Sequence, residues 1–71
     1  SDKDDIPYFK NINFEGINCL GAKEAVVIEP LKDMPETITG IHIKASSFVT
    51  SGENRVGCDC LTSEQTTYEI V

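Results

Sequence analysis

The chain has 71 residues, with 12 acidic against 6 basic side chains and a formal net charge of −6. This balance argues against nucleic acid as a partner, because phosphate binding relies on clustered Lys and Arg, and it disfavours an anionic membrane surface. No apolar run approaches the roughly 18 residues of a membrane span. A domain this short is marginally stable alone, so we expect a close homo-oligomer or a fragment separated from its natural neighbour.

Residues 1–6 form a polar lead-in, and residues 7–71 form a single domain or fragment. The lead-in has no apolar core of a signal peptide. Ser1 in place of Met is typical of a processed or engineered start, in which case this lack says nothing about localisation.

The first strand signal lies in residues 9–14, where Ile12 and Phe14 alternate with polar asparagines. Alternation with a period of two predicts a half-buried strand. Residues 38–43 repeat the pattern 29 positions later, with Ile41 in the place of Ile12. Internal similarity at a fixed spacing is typical of repeat architectures.

A second match lies between residues 26–31 and residues 56–61, at an offset of 30. Residues 67–70 open a third copy, 29 positions after the second. Residues 22–28 could also begin a helix, but their run of β-branched side chains favours a strand. Each repeat therefore reads as strand, turn, strand, turn.

Two strand–turn units per repeat predict an all-β solenoid, a fragment of a parallel β-helix of about two and a half coils. Stacking of the coils would place Ile12, Ile41 and Ile70 in one interior column. Both ends would expose unpaired strand edges, which favours a homo-oligomer through edge pairing. The alternative is a compact antiparallel sandwich of five or six strands.

Three cysteines are an odd number and do not form a disulfide framework. A four-ligand zinc site would need Cys19 and His42 to join Cys58 and Cys60. We expect buried thiols instead, with no metal and no cofactor. His42, the single histidine, alternates with two isoleucines, so it is expected to lie on the outward, solvated face.

The repeat offset of 30 stacks Glu29 on Asp59, which makes them the one carboxylate pair considered as an acid and base across adjacent coils. Two stacked like charges are unfavourable, so both are expected to be solvated rather than to act as acid and base. Tyr8 and Tyr68 could stack on sugar rings, but a lone tyrosine more often packs at an edge.

Residues 7–19, 22–31 and 33–43 resemble the late coils of bacterial polygalacturonase-like enzymes, the family 28 glycoside hydrolases. The resemblance extends over about residues 7–61. It implies a right-handed parallel β-helix and a parent enzyme that hydrolyses α-linked galacturonan or rhamnogalacturonan with inversion, using one carboxylic acid and one carboxylate. It also implies a secreted or periplasmic parent.

The active-site motifs of that family are Asn-x-Asp, a paired Asp-Asp, Gly-His-Gly and Arg-x-Lys. Asn-x-Asp and Gly-His-Gly are absent, and Arg55 is followed by Val56 and Gly57 rather than by Arg-x-Lys. Asp4-Asp5 is the one match, and it lies in the polar lead-in without companion motifs. We therefore expect no catalytic residue in this chain.

The resemblance predicts a C-terminal scaffold segment of a pectin-degrading glycoside hydrolase, which caps the solenoid and has the upstream coils of the parent enzyme as its partner. The alternative is a small non-enzymatic module that self-associates through open β-sheet edges.

Overall fold

The computed structural model describes residues 6–71, so the Asp4-Asp5 pair lies outside the described residues. The chain in this range is all-β apart from one 3-10 helical turn, Pro35–Thr37. Its strands, in chain order, are β1 (Phe9–Glu15), β2 (Asn18–Ala22), β3 (Val27–Ile28), β4 (Ile38–Lys44), β5 (Ser47–Thr50), β6 (Arg55–Val56), β7 (Leu61–Glu64) and β8 (Thr67–Ile70).

The strands form three sheets, in the orders β1-β4-β7, β2-β5-β8 and β3-β6. Every strand pairing is parallel. The chain visits the sheets in the same order each time, and we call one such passage a round; the third round has strands in the first two sheets only. The parallel pairings show that the antiparallel sandwich considered from the sequence is wrong. So is the helix considered at residues 22–28, because β2 ends at Ala22 and β3 covers Val27–Ile28.

The first sheet stacks apolar side chains from successive rounds. Ile12 pairs with Ile41, which pairs with Leu61. In the second column Phe14 pairs with Ile43. Ile41 and Ile43 are 7% and 3% exposed, because each has a neighbouring strand on both sides. The predicted stacking of Ile12 on Ile41 is therefore confirmed.

The third member of that predicted column is wrong. Ile70 pairs with Thr50 in the second sheet, and Leu61 takes its place in the first. The reason is the length of the corners. Residues 29–37 connect the third sheet to the first after round one, whereas residues 57–60 make the same connection after round two. The second corner is five residues shorter, β7 begins three residues later in the register than β4, and β2 contains one residue more than β5 at its register shift, so the second spacing is 20 residues instead of 29.

The predicted offset of 30 between the later segments is also wrong, because Ile28 pairs with Val56 at an offset of 28. The change from 29 to 28 arises in β2, where the register with β5 shifts between Leu20 and Ala22. Gly21 is the extra residue, and its φ of 88° suits a bulge, since glycine adopts positive φ without steric cost.

The two corners between the third and first sheets are stabilised by different interactions. In the long corner, the buried Thr37 donates a hydrogen bond from its Oγ1 to the carbonyl of Met34, at 2.8 Å. In the short corner, Cys58 and Cys60 form a disulfide, with their Cα atoms 5.2 Å apart. The expectation of three free thiols is wrong for this pair, and Cys19 alone remains free.

The turn between the first and second sheets recurs in all three rounds. Its first residue is Gly16, Ala45 or Gln65, with φ of 72°, 51° and 49° respectively. Positive φ is uncommon for residues other than glycine. In the first two rounds this residue is hydrogen-bonded to the next round: Gly16 donates its N–H to the carbonyl of Lys44 at 3.1 Å, and Ala45 donates its N–H to the carbonyl of Glu64 at 3.0 Å.

The second residue of this turn carries a chain of hydroxyl groups from round to round. Ser46 Oγ accepts the N–H of Ile17 at 3.0 Å and donates to the carbonyl of Lys44 at 2.9 Å. Thr66 Oγ1 accepts the N–H of Ser46 at 3.3 Å and donates to the carbonyl of Glu64 at 2.8 Å. Each hydroxyl thus satisfies a backbone N–H of the round before it.

The core lies in and next to the second round, where each strand has neighbours on both sides. Its buried apolar residues are Ile41, Ile43, Phe48 and Cys60. The outer rounds are open. Phe9 and Phe14 of the first round are 49% and 44% exposed, and Ile70 of the third round is 54% exposed.

Candidate functional site

The outward face of the β1-β4-β7 sheet presents two polar columns, formed by residues that pair across the three strands. They are Asn13–His42–Thr62 and Glu15–Lys44–Glu64. Asn13, His42 and the three residues of the second column border a groove of 320 Å³.

His42 lies on the exposed face, as the sequence predicts. Its neighbours in the column are Asn13 and Thr62, neither of which is acidic or basic. A histidine that acts as general base must lie within reach of the proton it removes, and a second group usually orients it. No described residue forms a hydrogen bond with the imidazole, so the column provides no acid–base pair.

The most prominent charge cluster joins Arg55 to two carboxylates. Its Nε lies 2.5 Å from Glu24 Oε2, and its Nη1 lies 2.6 Å from Glu29 Oε1. The hydrogen bond that Arg55 donates to Glu24, followed by the charges of both carboxylates, raises the pKa of the Arg55 guanidinium above its ordinary value. Both carboxylates form ion pairs with the same guanidinium. The cluster therefore links round one to round two on the surface.

The predicted stacking of Glu29 on Asp59 is wrong. Because Ile28 pairs with Val56, the position equivalent to Glu29 is Gly57, whose N–H donates to the carbonyl of Ile28 at 2.9 Å. Glu29 pairs with Arg55 instead. The register thus removes the one carboxylate pair that the sequence suggested.

The zinc ligands considered from the sequence do not assemble. Cys19 pairs with Phe48 in the second sheet, whereas His42 lies on the outward face of the first sheet. Cys58 and Cys60 are bonded to each other. Within residues 6–71, no group of three His, Cys, Asp or Glu side chains could hold a metal ion.

The two tyrosines differ in their packing. The ring of Tyr68 stacks on that of Phe48, with centroids 5.2 Å apart and planes 7° from parallel. Its hydroxyl shares a hydrogen bond of 2.7 Å with Ser63 Oγ. Tyr8 is 53% exposed and lies under the Lys10 ammonium, which is 5.9 Å from its ring centroid.

The two open edges of the sheets are the remaining candidates. At the first round, an apolar hollow of 430 Å³ reaches the interior; its walls include Phe9, Ile12, Phe14, Ile17, Ile28 and Phe48. At the third round, β7 and β8 each have a partner on one side only among residues 6–71. Unpaired strand edges carry free N–H and C=O groups that can pair with another strand. Both edges are therefore surfaces to which a further strand could pair.

No protein-family model, curated protein or solved structure matches this chain. Within residues 6–71, the length and apolar character that a membrane-crossing helix needs are not found in any helix.

Sequence reasoning missed the hydroxyl chain and the disulfide. A signal for the hydroxyl chain is present in the sequence. Three short segments each begin with a charged residue that is followed by the turn: residues 15–18, 44–47 and 64–67. Their spacings of 29 and then 20 residues would also have corrected the register.

Proposed function

We propose that this chain is a segment of a right-handed parallel β-helix, about two and a half coils long, and that its function is to serve as scaffold. The observation that carries the proposal is the column Ile12–Ile41–Leu61, in which one parallel strand of each round lies on the next. Stability in such a stack comes from neighbouring rounds. The open first and third rounds are the surfaces on which further coils would pack.

We further propose that the parent protein is a polygalacturonase-like glycoside hydrolase, secreted or periplasmic, and that upstream coils are the partner of this segment. The support is the sequence resemblance in residues 7–61. A catalytic role for the segment itself finds no support, because Glu24 and Glu29 are engaged by Arg55 and His42 has no acidic neighbour in its column.

Incubation of the purified chain with polygalacturonate tests the scaffold role. We expect no release of reducing ends above a control of heat-denatured chain. Sustained release that copurifies with the chain would show that the segment carries its own catalytic residues.

Sequencing the gene around this segment tests the proposal that its parent is a polygalacturonase-like enzyme. We expect the upstream reading frame to encode a paired Asp-Asp and Gly-His-Gly on preceding coils. An upstream coding sequence that lacks both motifs would remove the link to pectin hydrolysis and leave the scaffold proposal standing.

The second candidate is a non-enzymatic module that associates with itself. It is favoured by the exposure of large apolar side chains at both open ends, including Phe9, Phe14 and Ile70. Sedimentation equilibrium measures it directly. Dimers or larger species at micromolar concentration are expected on this proposal, and a strict monomer at the highest attainable concentration would contradict it.

A further inference from the structure

We infer that the edge made by β7, the following turn and β8 binds one further strand–turn–strand segment in parallel register. The segment would carry a cationic residue just before its turn, a residue with positive φ at the first turn position and Ser or Thr at the second. This inference rests on the proposed function as a β-helix scaffold, and it places the segment inside a stack rather than at its end, where the sequence had placed it.

The hydroxyl chain is the first argument. The N–H of Ile17 is accepted by Ser46 Oγ, and the N–H of Ser46 is accepted by Thr66 Oγ1. The equivalent N–H of Thr66 has no acceptor within residues 6–71. A hydroxyl at the same turn position of an added segment would complete the series, as it does in both earlier rounds.

Charge is the second argument. The column on the outward face alternates Glu15, Lys44 and Glu64. Opposite charges on directly facing strands are stabilising, and like charges are destabilising. Lys or Arg is therefore the complementary residue next to Glu64, at the position before the turn.

The interior gives a third argument. Phe48 and Tyr68 occupy one column of the second sheet and stack nearly parallel. Tyr68 remains 39% exposed, because no ring covers its side facing away from Phe48. An aromatic side chain two positions after the hydroxyl would cover that face, since Phe48 follows Ser46 by the same interval.

A second copy of the chain fits this edge poorly. Its own open first round would bring Glu15 against Glu64 and would present Ile17, which has no hydroxyl, to the N–H of Thr66. Residues 38–50 carry the required features in the required order: a lysine, a residue with positive φ, a serine and a phenylalanine. The occupant is thus a segment of the type found in the second round.

A synthetic peptide with the sequence of residues 38–50 is the probe, labelled with fluorescein and titrated with the full chain. We expect saturable binding. A Lys44→Glu peptide should bind about two- to five-fold more weakly because of one cross-strand charge pair. A Ser46→Ala peptide should bind about two- to ten-fold more weakly because one hydrogen bond is lost.

The chain variant Glu64→Lys identifies the edge that is used. On this variant, the preference should reverse, with the Lys44→Glu peptide bound more tightly than the unmodified one. Glu64 lies on the exposed face of β7, so the substitution leaves the interior intact. An unchanged preference would mean that the peptide binds elsewhere, for example at the first round, and would overturn the inference.

Amide hydrogen exchange provides a site-resolved readout. Saturating peptide should slow the exchange of the Thr66 amide at least about ten-fold, which is the effect of one new hydrogen bond at the upper end of the usual range of strengths. Exchange of the Ile17 amide, which is bonded to Ser46, serves as the internal reference. If the Ile17 amide is protected but the Thr66 amide stays unprotected with peptide, the inference fails while the proposed function stands. If Ile17 is unprotected as well, the stacked fold beneath both proposals fails. Protection of Thr66 that grows with chain concentration in the absence of peptide would assign the edge to a second copy and overturn the inference.

Discussion

Replacing Ser46 by alanine tests the hydroxyl chain that joins the rounds. Ser46 is 5% exposed, and its Oγ is the only described acceptor of the Ile17 N–H, at 3.0 Å. The carbonyl of Lys44 keeps a second donor in Gly16, so the main loss falls on the Ile17 N–H. Leaving a buried donor unpaired costs about 1–3 kcal/mol, and we expect a loss near 2 kcal/mol because Ser46 is buried but Ile17 is only partly so.

That loss is large for a chain of 71 residues, whose total stability is about 4–11 kcal/mol at the usual value per residue. Urea unfolding followed by circular dichroism measures it. At a slope of about 1 kcal/mol per molar urea, the midpoint should fall by about 2 M.

The matched control is Ser51→Ala. Ser51 is exposed, its hydroxyl has no hydrogen bond within residues 6–71, and its loss should change stability by less than about 0.5 kcal/mol. The Ile17 amide should also exchange faster in Ser46→Ala than in Ser51→Ala. Equal urea midpoints for the two variants would refute the reasoning, because they would show that the hydroxyl joins nothing.

Three further predictions concern the core, a glycine within β4 and a corner. Ile43→Val should lower the free energy of unfolding by about 1 kcal/mol in urea titration, because it removes one buried methylene; no change would contradict the burial of Ile43. Gly40→Ala should lower it by about 2 kcal/mol, since its φ is +66° and the new Cβ would lie 2.8 Å from Asn11 Oδ1; a neutral result would contradict that backbone conformation. Reduction of the Cys58–Cys60 disulfide should lower the free energy of unfolding by about 1.5 kcal/mol, the loop-closure entropy of three residues, and so lower the thermal midpoint; an unchanged midpoint would mean that the bridge does not form.

Much of the strand content was predictable, because alternation of side chains reports directly on which face is buried. Ile12 and Ile41 occupy strands of equal length with the same pattern, and their stacking follows from the spacing of 29. The outward position of His42 follows from the same alternation.

A third round is predicted from the sequence but in the wrong register, because the prediction takes the repeat length as fixed. Corners can lengthen or shorten without changing the strands they connect, and the corner at residues 57–60 is shorter than the one at residues 29–37. Ile70 therefore falls in a different sheet from the one its spacing suggested. Apolar side chains are common enough in strands that an isoleucine at the expected distance is weak evidence of register.

Features that depend on backbone conformation were harder to see. Ala45 and Gln65 have positive φ, although neither residue type favours it. For Ala45, this conformation is accompanied by a hydrogen bond to the adjoining round, from its N–H to the carbonyl of Glu64 at 3.0 Å. Arg55 likewise reaches Glu24 and Glu29 only because the rounds are stacked at an offset of 28.

The central claim is that successive rounds stack in parallel at these registers, and scalar couplings across hydrogen bonds measure it most directly in the isotope-labelled chain. We predict a coupling from the Ala45 amide nitrogen to the carbonyl carbon of Glu64, and another from Thr67 to Ser46, across bonds of 3.0 Å each. Couplings that join these amides to other carbonyls, or contacts typical of antiparallel strands between β4 and β7, would contradict the account.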